Sequence, residues 1–155
     1  MMTNLSILYI SLAGNTRSFV TDLQDYAQQQ HTTNPALPTI KLTEISDATP
    51  LKDETAPFYA FVPTYLDGGN GIDNGVKELM TNSLGEYIAY GHNADLCYGV
   101  IGSGNRNFNE QYCLTAKRYA EQFNVPFIAD YELRGNSRDV GRIYMLLVAN
   151  AQKHA

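Results

Sequence analysis

Basic residues are few and scattered in this chain: 11 Lys and Arg stand against 16 Asp and Glu, a formal charge of −5. No block of Lys or Arg occurs anywhere, so the basic footprint of a nucleic-acid-binding surface is missing. Cysteine is scarce as well. Cys97 and Cys113 have no CxxC spacing and no histidine near them in sequence. That argues against a disulfide framework or a zinc site and makes reduced cytosolic thiols the expectation. His31, His92 and His154 lie apart in polar surroundings, form no metal-ligand pattern and read as plain surface residues. No apolar run approaches the roughly 20 residues that a membrane span requires. The stretch MMTNLSILYISLAG has neither a basic n-region nor a proper apolar h-region. No signal peptide is therefore expected, and the cytoplasm is the expected location.

What remains is an ordinary globular composition, 44% apolar and 17% charged over 155 residues. The expectation is a single domain over 1–155, long enough to bury a full core. Five apolar, β-branched or aromatic runs each end at a turn signal: 5–11, 39–45, 57–63, 96–101 and 127–131. The first, third and fourth are nearly continuous, as strands covered on both faces tend to be, while the second alternates like an edge strand. Helix-like stretches fall between and after them at 16–30, 75–83, 110–123 and 137–151. In the first of these Phe19, Leu23, Tyr26 and Ala27 recur on one side. Alternating strands and helices predict an α/β three-layer sandwich with a parallel sheet. Five strands favour the order 2-1-3-4-5 over a dinucleotide-binding arrangement, which usually needs a sixth. Residues 31–38 make a proline-containing connector. The loop at 64–75 has the length at which loops are usually functional or disordered.

In such a sheet ligands bind beyond the carboxyl ends of the strands, near the point where strand order reverses. The loops there read SLAGNT, TYLDGGNG and GSGNRNF. In SLAGNT, Ser11, Asn15 and Thr16 offer donors and Gly14 permits close backbone approach. The loop opens onto a helix whose free N–H groups and dipole favour a phosphate. It has no Lys and is neither GxxxxGK[ST] nor GxGxxG. In isolation a strand, a turn and an N-cap explain so short a motif better. TYLDGGNG carries glycines at 68, 69 and 71, which free its peptides to reorient, and Tyr65, suited to stacking on a planar ring. In GSGNRNF, Gly102 and Gly104 are expected to release the backbone, Asn105 and Asn107 supply amide edges, and Phe108 adds an aromatic. Cys113 is expected one turn into the following helix as a packed thiol. Together the three loops describe a pocket for a planar, phosphorylated ring cofactor.

The string Ser11-Leu12-Ala13-Gly14-Asn15-Thr16 resembles the phosphate loop of the flavodoxins. GNTRSF, VPTYLDGGNG, VIGSGNRNFNEQYC, VPF and YELRGNSRDV together resemble the NrdI family, flavodoxin-like partners of class Ib ribonucleotide reductase. The resemblance runs from about residue 5 to about residue 145, and GSGNRNF is its most specific part. It implies a flavodoxin-like fold and non-covalent flavin mononucleotide (FMN). The phosphate would lie on Ser11, Gly14, Asn15 and Thr16 and the backbone between them, including Leu12 and Ala13. The isoalloxazine would lie between Thr64, Tyr65, Leu66, Gly68, Gly69 and Asn70 on one side and Ser103, Gly104, Asn105, Asn107 and Phe108 on the other. The peptide at flavin N5 would be Gly68–Gly69, with Gly69–Asn70 next. No side chain is implied as catalytic, because the chemistry belongs to the flavin. The resemblance implies a redox accessory flavoprotein, not a stand-alone enzyme. Its partners would be an electron-donor reductase, dioxygen and the reductase small subunit, where the oxidant assembles a dimanganese–tyrosyl radical. Neither nucleic acid nor membrane is implied. Ala13 replaces the Thr usual in flavodoxins and removes one hydroxyl from the phosphate site. Tyr131, Glu132 and Leu133 match a family string and either line a partner-facing rim or simply finish the last strand.

Two other functions remain open on the residues alone. A general electron-transfer flavodoxin would be expected to be more acidic. A flavin-free module like a receiver domain would need clustered acids at the strand ends, where Ser11 stands at the first exit and Asp67 and Asp73 fall in the long loop.

Overall fold

A computed structural model describes residues 4–11, 14–64, 66–67, 77–78, 82–105 and 112–154, with side chains excepted at 66, 67, 77, 78 and 82. The main sheet contains β1 (Asn4–Tyr9), β2 (Thr39–Glu44), β3 (Phe58–Pro63), β6 (Cys97–Gly104) and β7 (Phe127–Glu132). All neighbouring pairs are parallel, and the order is β2-β1-β3-β6-β7, the 2-1-3-4-5 arrangement expected of its five strands.

Period-two alternation explains how one sheet feeds two cores. On one face Leu5, Ile7 and Tyr9 of β1, with Tyr59 and Phe61 of β3, pack against α1 (Asn15–Thr33) and α5 (Ser137–Lys153). On the other, Leu8 and Ile10, with Phe58, Ala60 and Val62, pack against α2 (Asn82–Ala89) and α4 (Leu114–Phe123). Every residue of β3 is buried, as its unbroken apolar run FYAFVP requires. Helix α1 buries Phe19, Val20, Leu23 and Ala27 and ends where Asn34 returns its amide to the Gln30 carbonyl, just before Pro35. None of the helices, among the described residues, is long and apolar enough to cross a membrane.

Several local expectations need correction. The helix expected at 75–83 is instead preceded by a two-stranded antiparallel ribbon, β4 (Leu66–Asp67) with β5 (Lys77–Glu78), paired Leu66 to Glu78 and Asp67 to Lys77. The described helix there is Asn82–Ala89, which buries Leu84, Tyr87 and Ile88; the rest of the expected span, 75–76 and 79–81, lies outside the described residues. A short α3 (Asn93–Leu96) precedes β6. That strand runs on to Gly104, so Gly102 and Gly104 sit in the ladder and do not loosen a loop. Gly102 is needed for contact: a Cβ there would meet the Ala116 Cβ at 2.9 Å. Cys113 is the N-cap of α4, in the left-handed region at φ 57°, and does not lie within the helix. All three histidines have partners: His31 Nδ1 lies 2.8 Å from the Leu37 carbonyl oxygen, His154 stacks on Tyr98 at 3.8 Å, and the exposed His92 Nδ1 lies 3.8 Å from Asp95 Oδ2.

Candidate cofactor site

The carboxyl ends of β1, β3, β6 and β7 converge on one edge of the sheet. There Asn15, Thr64, Ser103, Gly104 and Asn105 line a cleft of about 80 Å³ with Pro63 and Leu133. Residues from three separate loops thus share one hollow, as the strand order demands. Leu12, Ala13, Tyr65, Gly68, Gly69, Asn70, Asn107 and Phe108, also candidates, lie outside the described residues. Leu66 is placed in the β4–β5 ribbon.

Backbone and side chains lock the cleft's walls. The Thr64 amide donates to the Ser103 carbonyl at 2.9 Å, and Thr64 Oγ1 accepts the Thr115 amide of α4 at 2.9 Å. The Leu133 amide donates to the Gly104 carbonyl at 3.0 Å, tying the turn after β7 to the end of β6. Gly104 lies close to the start of α4: a Cβ there would meet the Cys113 backbone nitrogen at a tight 3.1 Å.

Next to the cleft is the start of α1. Gly14 caps it at φ 86°, a conformation that suits glycine, and the space where its Cβ would stand is open. The helix's own bonding begins with the Ser18 amide on the Gly14 carbonyl at 3.0 Å, and Ser11 Oγ accepts the Arg17 amide at 3.2 Å. Among the described residues, the amides of Asn15 and Thr16 find no acceptor. Thr16 Oγ1 is fully buried, also with no hydrogen-bond partner among those residues. A buried, unpaired hydroxyl in a first turn that offers two free amides suits an anionic oxygen ligand. The residues present therefore fit the phosphate end of a cofactor. Ser11 faces a neighbouring hollow with Ile10, Glu44 and Ile45.

Charge around this turn is arranged across elements. Arg17 makes a two-pronged ion pair with Glu44 of β2, at 2.9 and 2.7 Å, and the Tyr9 hydroxyl donates to the same carboxylate at 3.0 Å. The Arg17 hydrogen bond is the main force holding the Glu44 carboxyl below its ordinary range, against partial burial, which pushes it up. Burial, then the hydrogen bond to Glu44, raises the Tyr9 hydroxyl. The Cys97 thiol, buried in β6, is pushed up to about 11 and stays protonated near neutrality.

The two roles considered for 131–133 divide between residues. Tyr131 is core, stacked on Phe19 at 3.8 Å, whereas Leu133 is exposed, at φ 55°, and lines the cleft. Sequence reasoning missed Arg134, whose Nε donates to Asn15 Oδ1 at 3.1 Å across 119 residues of chain. Its only sequence signal was membership of the string YELRGNSRDV.

A family model described as NrdI flavodoxin-like matches residues 7–145. The chain belongs to the NrdI flavodoxin-like family. A putative NrdI-like protein of Streptococcus pyogenes serotype M18 is 48% identical over 149 residues, 96% of this chain and 95% of its own. Protein NrdI of Bartonella tribocorum is 36% identical over 137 residues, covering 88% and 87%. Among solved structures, a short-chain flavodoxin associated with a bacterial microcompartment superposes with a TM-score of 0.67 at 15% identity, covering both chains fully. That likeness concerns the fold. Membership of the NrdI family implies a flavin cofactor and a link to ribonucleotide reductase.

Proposed function

We propose that this chain binds FMN at the carboxyl edge of its sheet and serves class Ib ribonucleotide reductase by passing an oxidant derived from dioxygen to the small subunit, where a dimanganese–tyrosyl radical is assembled. A cytoplasmic reductase would supply the electrons. When bound, the flavin contributes the redox chemistry, including reduction of dioxygen.

The chain's own residues have defined tasks in this reading. Asn15, Thr16 and their amides hold the phosphate, with the Ser11 hydroxyl and Gly14 beside them. Leu12 and Ala13 complete that loop. Thr64, Ser103, Gly104 and Asn105 form the wall against which the ring end rests, and Tyr65, Leu66, Gly68, Gly69, Asn70, Asn107 and Phe108 would complete its enclosure. Leu133, exposed beside the cleft, shields one side of it from water. The observation that carries the reading is the first turn of α1, where a buried hydroxyl and two amides without a partner among the described residues stand beside a cleft built from the other two loops.

Two measurements test it. The purified protein mixed with FMN should develop a yellow, protein-bound absorbance. Reduced, aerated and combined with the manganese-loaded small subunit, it should generate a tyrosyl radical visible by electron paramagnetic resonance. Bound flavin with no radical would move the assignment to a general electron-transfer flavodoxin. No bound flavin would leave a flavin-free interaction module.

A further inference from the structure

A phosphate monoester brings close to two negative charges at neutral pH, and a helix N-terminus offers only about half a positive one. SLAGNT contains no Lys or Arg, and the chain as a whole carries −5. One cation in the first turn, Arg17, is committed to Glu44 through both prongs of its guanidinium. The turn after β7 provides another. Among the described residues Arg134 hydrogen-bonds the neutral Asn15 amide and is paired with no carboxylate.

We propose that Arg134 is the phosphate-recognition cation of this site and sets its preference for a phosphorylated flavin over the same flavin without phosphate. The inference rests on the flavin reading above and goes beyond it by assigning the residue that reads the phosphate charge.

Three observations carry it. Arginine has donors only, so its contact forces Asn15 to present its oxygen to Arg134 and leaves the Asn15 NH₂ group for an acceptor. Arg134 therefore orients a neutral donor as well as adding charge. Second, Thr16 Oγ1, one residue further into the same turn, is buried and has no partner among the described residues. Third, the turn that carries Arg134 is held firmly. The Leu133 amide is bonded to Gly104, the Gly135 amide donates to the Glu132 carbonyl at 2.8 Å, and Gly135 sits at φ 69° against the Phe19 ring. A cation on a fixed turn loses little freedom when it binds an anion.

The test is fluorescence titration of the flavin-free protein, wild type and Arg134→Gln, Arg134→Ala and Arg134→Lys, with FMN and with riboflavin. Arg134 is exposed, and thermal midpoints confirm that the variants fold. Loss of one charge-assisted contact should weaken FMN binding roughly tenfold in the Gln and Ala variants while riboflavin changes less than about twofold. Lys should restore part of the difference, and the wild-type preference should shrink between about 0.05 and 0.5 M salt. Unchanged FMN binding in Arg134→Gln, or an equal loss for both flavins, overturns the role of Arg134 while the flavin reading stands. Wild-type protein that binds neither flavin overturns the flavin reading and this assignment with it.

Discussion

Helix α5 is capped by Asn136, whose side chain accepts the Asp139 amide at 2.9 Å while Asp139 accepts the Asn136 amide at 3.0 Å. Arg142 then closes on Asp139 at 3.0 Å. Helix α1, which starts at the same edge of the sheet, has Gly14 at its cap, no side-chain cap bond and no acid in its first turn. Among the described residues, every device that satisfies the start of α5 from within is missing from α1, apart from Ser11 on one amide. A self-satisfied start stabilises the fold; a start left open, with a buried hydroxyl idle inside it, is suited to a ligand. The contrast separates structural from binding roles at two otherwise equivalent strand-to-helix turns.

The largest effect should come from the residue that joins the two turns. Gly135 precedes the α5 cap at φ 69°, and a Cβ there would meet the Phe19 ring of α1 at 2.6 Å. Gly135→Ala combines left-handed strain with overpacking of a ring already stacked on Tyr131, and should cost about 3 kcal/mol in urea unfolding. A cost below about 1 kcal/mol would mean that the turn can shift and that Arg134 is not held in place.

Exchanging stability for binding at the two helix starts sharpens the comparison further. Thr16→Val replaces a buried hydroxyl that has no partner among the described residues with a methyl group, so stability should hold or rise slightly while FMN affinity falls about tenfold. Asn136→Ala should do the reverse, losing about 1 kcal/mol of stability with affinity unchanged within about twofold. Both are read by urea unfolding and flavin titration on the same samples. If Thr16→Val destabilises the protein and leaves FMN binding intact, Thr16 belongs to the core and the contrast fails.

The sheet was legible because the runs at 5–11, 57–63 and 96–101 are buried on both faces and read as continuous apolar strands. The order followed from their alternation with helices. The meeting of Thr64, Ser103, Gly104 and Asn105 with Asn15 was legible for the same reason, since topology alone brings those loops together. What escaped depends on contacts distant in sequence. The ribbon of 66–67 with 77–78 is too short to show alternation. The glycines at 102 and 104 look like loop residues until α4 is seen packed against them. The contact of Arg134 with Asn15 spans 119 residues, and no local pattern encodes it. Tyr131 and Leu133, two residues apart in a family string, have opposite fates because β7 ends at Glu132 and Leu133 turns out of the strand at φ 55°.

The smallest effect concerns Arg17, a cation in the first turn of α1, where the helix dipole disfavours positive charge. Helix α5 has Asp139 at the comparable place; α1 instead borrows a carboxylate, Glu44, from β2. The Glu44 carboxyl is held below its ordinary range chiefly by its hydrogen bond from Arg17, so the folded state binds that proton less readily than the unfolded one. The pair's contribution is therefore fully present above the unfolded value of about 4.3 and is lost as pH falls through the lower folded value. Its size is modest, because both partners are partly exposed, at 54% and 33%. Glu44→Gln should lower the urea midpoint slightly near neutral pH, and the gap to wild type should close by about pH 3 and narrow in about 0.5 M salt. A gap that persists unchanged at acid pH would show that Glu44 acts through packing and its Tyr9 hydrogen bond. The charge of Arg17 would then need no compensation from β2, and the open start of α1 would tolerate a free cation where α5 places an acid.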